Sequence, residues 1–96
     1  MIERTVTIKN RAGMHTRPAA MLVKLAATFS SEFYIIKSGL RINGKSIIGV
    51  MTLAAEYDST VRLQFDGADE EAAAAAITDL FDRGFDELNG TPERYA

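Results

Sequence analysis

Residues 2–8 alternate between apolar and polar. Ile2, Val6 and Ile8 share one side, and Glu3, Thr5 and Thr7 share the other. A period of two marks a half-buried strand. The period changes at Thr16. From there to about Ala27, the positions Ala19, Leu22, Val23 and Ala26 recur at helical spacing and form one apolar stripe. Residues 28–31 close that helix. Glu32–Lys37 is rich in aromatic and β-branched residues and predicts a second strand. Ser38-Gly39 reads as a tight turn into a short strand over residues 40–42, and Asn43-Gly44 as another turn. Ser46 stands where an N-cap belongs, ahead of an apolar run over residues 47–53. Thr60–Asp66 alternates again, with Val61, Leu63 and Phe65 inward, and Gly67 ends it. Asp69-Glu70-Glu71 then set carboxylates at the positive end of a last helix. Its buried side is marked by Ala73, Ile77, Leu80, Phe81 and Gly84, and the alanines of residues 72–76 are helix formers. Residues 89–96, with Gly90 and Pro92, read as a frayed tail behind a domain of residues 1–88.

The predicted order is β-α-β-β-α-β-α. It implies an α+β domain, a four-stranded antiparallel sheet with three helices on one face. A ferredoxin-like arrangement fits the same order. The segment 47–53 is too short to be a stable helix by itself, and it is apolar nearly all round. A two-turn helix at the edge of a small domain cannot bury every side. At least one of Ile47, Ile48 and Met51 is therefore expected to face water as a docking patch.

Composition narrows the function classes. Ninety-six residues, 47% of them hydrophobic, make one small domain with a modest core. The absence of cysteine excludes a disulfide framework and suits a reducing cytoplasm. No basic-then-apolar leader and no long apolar run occurs, so neither a secretion signal nor a membrane helix is expected. The net charge of −2 is unevenly spread: residues 1–50 hold eight Lys/Arg and two Asp/Glu, whereas residues 51–96 hold three and eleven. The basic half favours an acidic or phosphorylated protein partner. Nucleic acid fits poorly, because the basic residues are scattered and no aromatics interleave them.

The sole histidine lies in that basic half, in Asn10-Arg11-Ala12-Gly13-Met14-His15-Thr16-Arg17-Pro18-Ala19-Ala20. Pro18 suits the first turn of a helix, which places His15 and Thr16 at the helix N-terminus. Unpaired N–H groups and the positive dipole end welcome an anion there. The same field disfavours a protonated ring, leaving a neutral, nucleophilic imidazole as the expected form. Gly13 keeps the approach to the ring open, and Arg17 offers a planar fork of donors to phosphoryl oxygens. A neutral imidazole nitrogen attacks phosphorus to form a phosphohistidine. The stretch has no second His, no Cys and no Asp/Glu, so no metal site and no Ser-His-Asp arrangement is expected. The blander assignment makes His15 a helix cap and Arg17 a solvated charge.

Gly13-Met14-His15-Thr16-Arg17-Pro18-Ala19 resembles the active-site motif of the histidine-containing phosphocarrier (HPr) family of the bacterial phosphoenolpyruvate-dependent phosphotransferase system. Asn43-Gly44-Lys45-Ser46-Ile47-Ile48-Gly49-Val50-Met51 resembles that family's second signature at the matching distance. The resemblance spans residues 1–88 and implies an open-faced β-sandwich. It implies a cytoplasmic, monomeric carrier rather than an enzyme, with no cofactor. His15 matches the residue that accepts a phosphoryl group on Nδ1 from phosphorylated Enzyme I and passes it to an Enzyme IIA. Arg17 matches the arginine at the phosphoryl group. Gly13, Thr16 and Pro18 match the residues that shape the phosphate pocket. Met14, Ile47, Ile48 and Met51 match the apolar docking surface. Ser46 matches the serine that an HPr kinase/phosphorylase modifies in many members, which opens an alternative: a regulatory binding protein controlled at Ser46. Tyr57-Asp58-Ser59 replaces a glycine-containing turn, which Asp tolerates. Met14 and Gly84-Phe85-Asp86-Glu87 lean toward the nitrogen-regulatory branch, and Lys45-Ser46-Ile47 toward the sugar branch.

Overall fold

A computed structural model describes residues 1–53 and 55–87. The elements follow in chain order: β1 (Ile2–Thr7), α1 (Thr16–Ala26), β2 (Glu32–Lys37), β3 (Leu40–Asn43), α2 (Ile47–Thr52), β4 (Thr60–Asp66), α3 (Glu70–Asp82) and a short 3-10 turn (Gly84–Asp86). The tail expected over residues 89–96, and with it the domain boundary, lies outside the described residues.

The four strands form one sheet in the order β1-β4-β2-β3, and every neighbouring pair is antiparallel. β1 therefore sits at an edge beside β4, whereas a ferredoxin-like sheet keeps its first strand inside. Register explains the face that is buried. Phe65 lies opposite Ile2 on one side and Phe33 on the other, and Leu63 lies opposite Ile35. These alternate positions share one face, where the Phe33 and Phe65 rings stack at 5.0 Å. α1 covers that face with Ala19, Leu22 and Ala26, and α3 covers it with Ala73, Ala74, Ile77, Leu80 and Phe81, all buried. The opposite face carries Tyr34, Arg62 and Gln64 and is open to solvent, with Arg41 stacked 3.7 Å from the Tyr34 ring. The expected α+β open-faced sandwich is therefore what the chain forms.

The turns obey local chemistry. Ser38 (φ 51) and Gly39 (φ 82) both take left-handed backbone in the two-residue β2–β3 loop, a twist that matches the strands it joins. Asp58, in the turn Tyr57-Asp58-Ser59, holds φ 70, a left-handed backbone that Asp tolerates. Asp69 ties α3 to the loop before β2: its carboxylate accepts N–H groups of Ser30 and Ser31, each at 2.9 Å, and the Ser31 hydroxyl. Those donors, the hydroxyl foremost, hold the Asp69 carboxyl down at about 2.

One element departs from the periodicity. The last helix stops at Asp82, so Gly84, expected on its buried face, is buried beyond it instead. Gly84 (φ 62), Phe85 (φ 56) and Asp86 (φ 63) are three successive left-handed residues. For Phe85 that backbone is costly. Full burial of its ring, edge-on to Phe81 at 4.9 Å, offsets the cost. The turn reverses the chain and delivers Glu87 beneath the start of α1.

Candidate functional site

The loop before α1 is held from three sides. Asn10 is fully buried; its carbonyl accepts the Gly13 N–H at 3.0 Å, and its side-chain Nδ2 donates to the Gly13 carbonyl at 2.8 Å. The Met14 N–H donates to the Ala55 carbonyl at 2.8 Å, pinning the loop to the segment before β4. Gly13 makes that approach possible. Its φ is +73, and a Cβ there would lie 2.7 Å from the Ala55 oxygen.

His15 occupies the N-cap position of α1 with extended backbone (φ −90, ψ −169), and its ring makes no capping hydrogen bond to the helix. Its carbonyl accepts from the Ala19 N–H at 3.0 Å. Thr16, solvent-exposed, is the first helical residue, and Pro18 is buried in the first turn. Among the described residues, the N–H groups of Thr16 and Arg17 have no acceptor, and Pro18 supplies none. The helix thus presents unpaired donors and its positive dipole end beside the ring. The blander capping assignment fails for the His15 side chain.

Arg17 is not merely solvated either. Its Nη1 donates to Glu87 Oε2 at 2.7 Å. The Glu87 side chain is 2% exposed, and its two oxygens stand 3.3 and 3.4 Å from His15 Nε2. Asn10 Nδ2 donates to the same carboxylate at 3.1 Å. The ring remains partly open to solvent. Nδ1 has no partner among the described residues, and neither do the other guanidinium donors of Arg17. The His15 ring and the Arg17 guanidinium, both partly exposed, thus stand over one buried anion. Sequence reasoning missed Glu87. The stretch around His15 contains no carboxylate, and 72 positions separate the two residues. The usable clue was Arg17 itself, a cation that needs an anion wherever its first donor is drawn inward.

The apolar surface lies on α2, which packs against α1. Ile48 is 76% exposed, Met51 42% and Ile47 39%, while Val50 is fully buried beneath them. Met14 requires correction. It is only 6% exposed and joins the core, in a loop whose backbone is pinned to Ala55 at this residue. It supports the loop from below, and the little of it left uncovered lines the depression beside His15 rather than the α2 surface. Ser46 caps α2: its hydroxyl accepts the Gly49 N–H at 3.2 Å. Lys45 next to it donates to the Phe29 carbonyl at 2.7 Å, tying the entrance of α2 to the loop after α1. Beside His15, Arg11 lies 5.4 Å from the Tyr57 ring centroid, and the two line a shallow depression with Glu56 and Ala55. No described helix is long and apolar enough to cross a membrane.

The family described as the PTS HPr component phosphorylation site matches residues 2–83. The phosphocarrier protein HPr of Treponema pallidum is 45% identical over 87 residues, 91% of this chain and 99% of that protein. The HPr-like protein Crh of Halalkalibacterium halodurans is 43% identical over 77 residues, 80% of this chain and 92% of that protein. Among solved structures, the crystal structure of HPr-C-His from Thermoanaerobacter tengcongensis superposes with a TM-score of 0.86 at 42% identity. That match covers 88% of this chain and 96% of the other.

Proposed function

The chain belongs to the HPr family of phosphotransferase-system components, and we propose that His15 Nδ1 is its phosphoryl acceptor. The observation that carries this is the partly exposed His15 ring at the positive end of α1, beside Arg17, with Nδ1 unpartnered among the described residues. Phosphorylated Enzyme I, charged from phosphoenolpyruvate, is the donor. The Nδ1 lone pair attacks phosphorus, and the bond to the donor's nitrogen breaks with its electron pair returning to the donor ring. Arg17 and the unpaired N–H groups of the first turn hold the phosphoryl oxygens. An Enzyme IIA then takes the group by the same displacement in reverse, serving sugar uptake or its regulation. Ile47, Ile48 and Met51 form the apolar surface on which both partners dock, and the small size of that patch suits rapid release. The chain acts as a carrier rather than an enzyme, in a cytoplasmic relay.

A second reading follows from Ser46. Its hydroxyl caps α2 directly beside Ile47 and Ile48. A phosphate placed there by an HPr kinase/phosphorylase adds about −1.5 to −2 charges to the rim of the patch and repels an acidic partner. A similar solved structure is named as Crh, the catabolite repression HPr of Bacillus subtilis, which supports a regulatory role.

Intact mass after incubation with phosphoenolpyruvate and Enzyme I from the same organism tests the carrier reading. One acid-labile phosphoryl addition, absent from His15→Ala, is the expected result. No addition to the native chain overturns it.

A further inference from the structure

The buried carboxylate beneath His15 has its own role. We propose that Glu87, held in place by Asn10, is a positioning residue that selects the reactive form of the His15 ring and balances the charge formed on it. This rests on the carrier reading of His15.

The argument starts from what a neutral imidazole can do. One of its nitrogens carries the proton and the other the lone pair, and only the latter attacks phosphorus. Glu87 offers acceptors and no donor at 3.3 and 3.4 Å from Nε2. Facing two carboxylate oxygens, Nε2 is the nitrogen that keeps the proton. Nδ1 is thereby left as the lone-pair nitrogen, on the side that points away from Glu87. Orientation follows from the same contact, since a carboxylate bonded to one ring nitrogen fixes both tautomer and ring angle.

Charge balance gives the second half. When the Nδ1 lone pair forms the N–P bond, a ring that still carries its Nε2 proton becomes cationic. That charge grows through the transition state. Glu87 already sits against the nitrogen that shares it, and its own side chain is only 2% exposed, so little water stands between the carboxylate and that edge of the ring. The carboxylate is itself fixed before the reaction. Asn10 is fully buried and donates from Nδ2 both to Gly13 and to Glu87, so the loop in front of the ring and the carboxylate beneath it share one anchor. The amide orientation is dictated, because both of its neighbours are acceptors. Arg17 grips the other carboxylate oxygen at 2.7 Å. The left-handed run Gly84–Asp86 and the buried Phe85 ring deny Glu87 freedom to leave.

The test compares the native chain with Glu87→Ala and Glu87→Gln. Nitrogen-15 NMR of the single histidine, at a pH where the ring is neutral, reads the tautomer without any phosphoryl transfer. The native ring is expected to carry its proton on Nε2 alone. Glu87→Ala is expected to relax to a mixture of both tautomers, and its uptake rate from phosphorylated Enzyme I to fall about tenfold. Glu87→Gln keeps an acceptor but no charge. It is expected to restore the tautomer and leave the rate low, a split that loss of structure does not produce. Native tautomer and native rate in Glu87→Ala overturn the proposal while the carrier reading stands. No phosphoryl uptake by the native chain overturns the carrier reading, and with it the charge-balancing role.

Discussion

The neighbours Ile48 and Val50 on α2 are predicted to fail in opposite ways when truncated to alanine. Full burial of a side chain of isoleucine size is worth about 1.5–3 kcal/mol. Ile48 is 76% exposed in the free chain, so most of that energy is unspent. A partner that covers it gains about 1–2 kcal/mol, which is about five- to thirtyfold in Kd. Ile48→Ala removes most of this gain and leaves folding within about 0.5 kcal/mol of native. Val50 is 0% exposed and leaves no surface for a partner to cover. Val50→Ala loses two buried methyl equivalents at ~0.8 kcal/mol each and adds a cavity term, about 2 kcal/mol of stability in total. Its affinity for Enzyme I should be unchanged at temperatures where it is folded. Calorimetric titration against Enzyme I gives the first quantity, and urea midpoints at a common slope give the second. Binding by Ile48→Ala within twofold of native would refute the docking role of α2. A stability loss there matching that of Val50→Ala would refute the burial pattern itself.

Three further outcomes are expected. Gly13→Ala forces a left-handed alanine, at about 1–2 kcal/mol, and sets a Cβ 2.7 Å from the Ala55 oxygen. Urea unfolding should show a loss of about 2–4 kcal/mol in total, with slower uptake on His15; an unchanged midpoint counts against the pinned loop. Because hydrogen bonds hold the folded Asp69 carboxyl at about 2, below its usual 3.8, its contribution to stability is complete above that usual value and is lost as pH falls toward about 2. Asp69→Asn should be less stable near neutrality and show a flatter pH dependence across that acid window, read from urea midpoints; parallel curves for the two chains would remove the idea. Ser46→Asp keeps an N-cap acceptor yet should slow transfer from Enzyme I through repulsion at the patch. Native transfer kinetics at low salt would dispose of that reading.

Most of the fold was legible because its signals are local. Alternation in Thr60–Asp66, the Pro18 start, the Ser38-Gly39 turn and the Ser46 cap each act within a few residues, and the structure places each where the pattern did. Exposure of at least one of Ile47, Ile48 and Met51 followed from a helix too short to hide them, and all three are exposed. What escaped was non-local. Met14 sits in a loop of the sequence yet is buried in the core, where the loop's backbone is pinned to Ala55, a partner no spacing rule names. Gly84 fitted the helical stripe by position, yet it is buried through a turn that runs left-handed for the sake of one aromatic ring. Glu87 looked like one more charge in an acidic C-terminal half. Only the tertiary fold shows that it is the anion under the catalytic-looking pair His15 and Arg17.

The separation of His15 and Glu87 also sets when a newly made chain becomes competent. At about 5–20 residues per second, synthesis across the 72 positions between them lasts roughly 4–14 s. Throughout that interval the histidine is already made and its carboxylate partner is not. Every strand and helix in between is translated before the site closes. The His15–Glu87 contact therefore waits until most of the chain has been made, and a nascent chain that has not reached Glu87 lacks the carboxylate beneath the His15 ring.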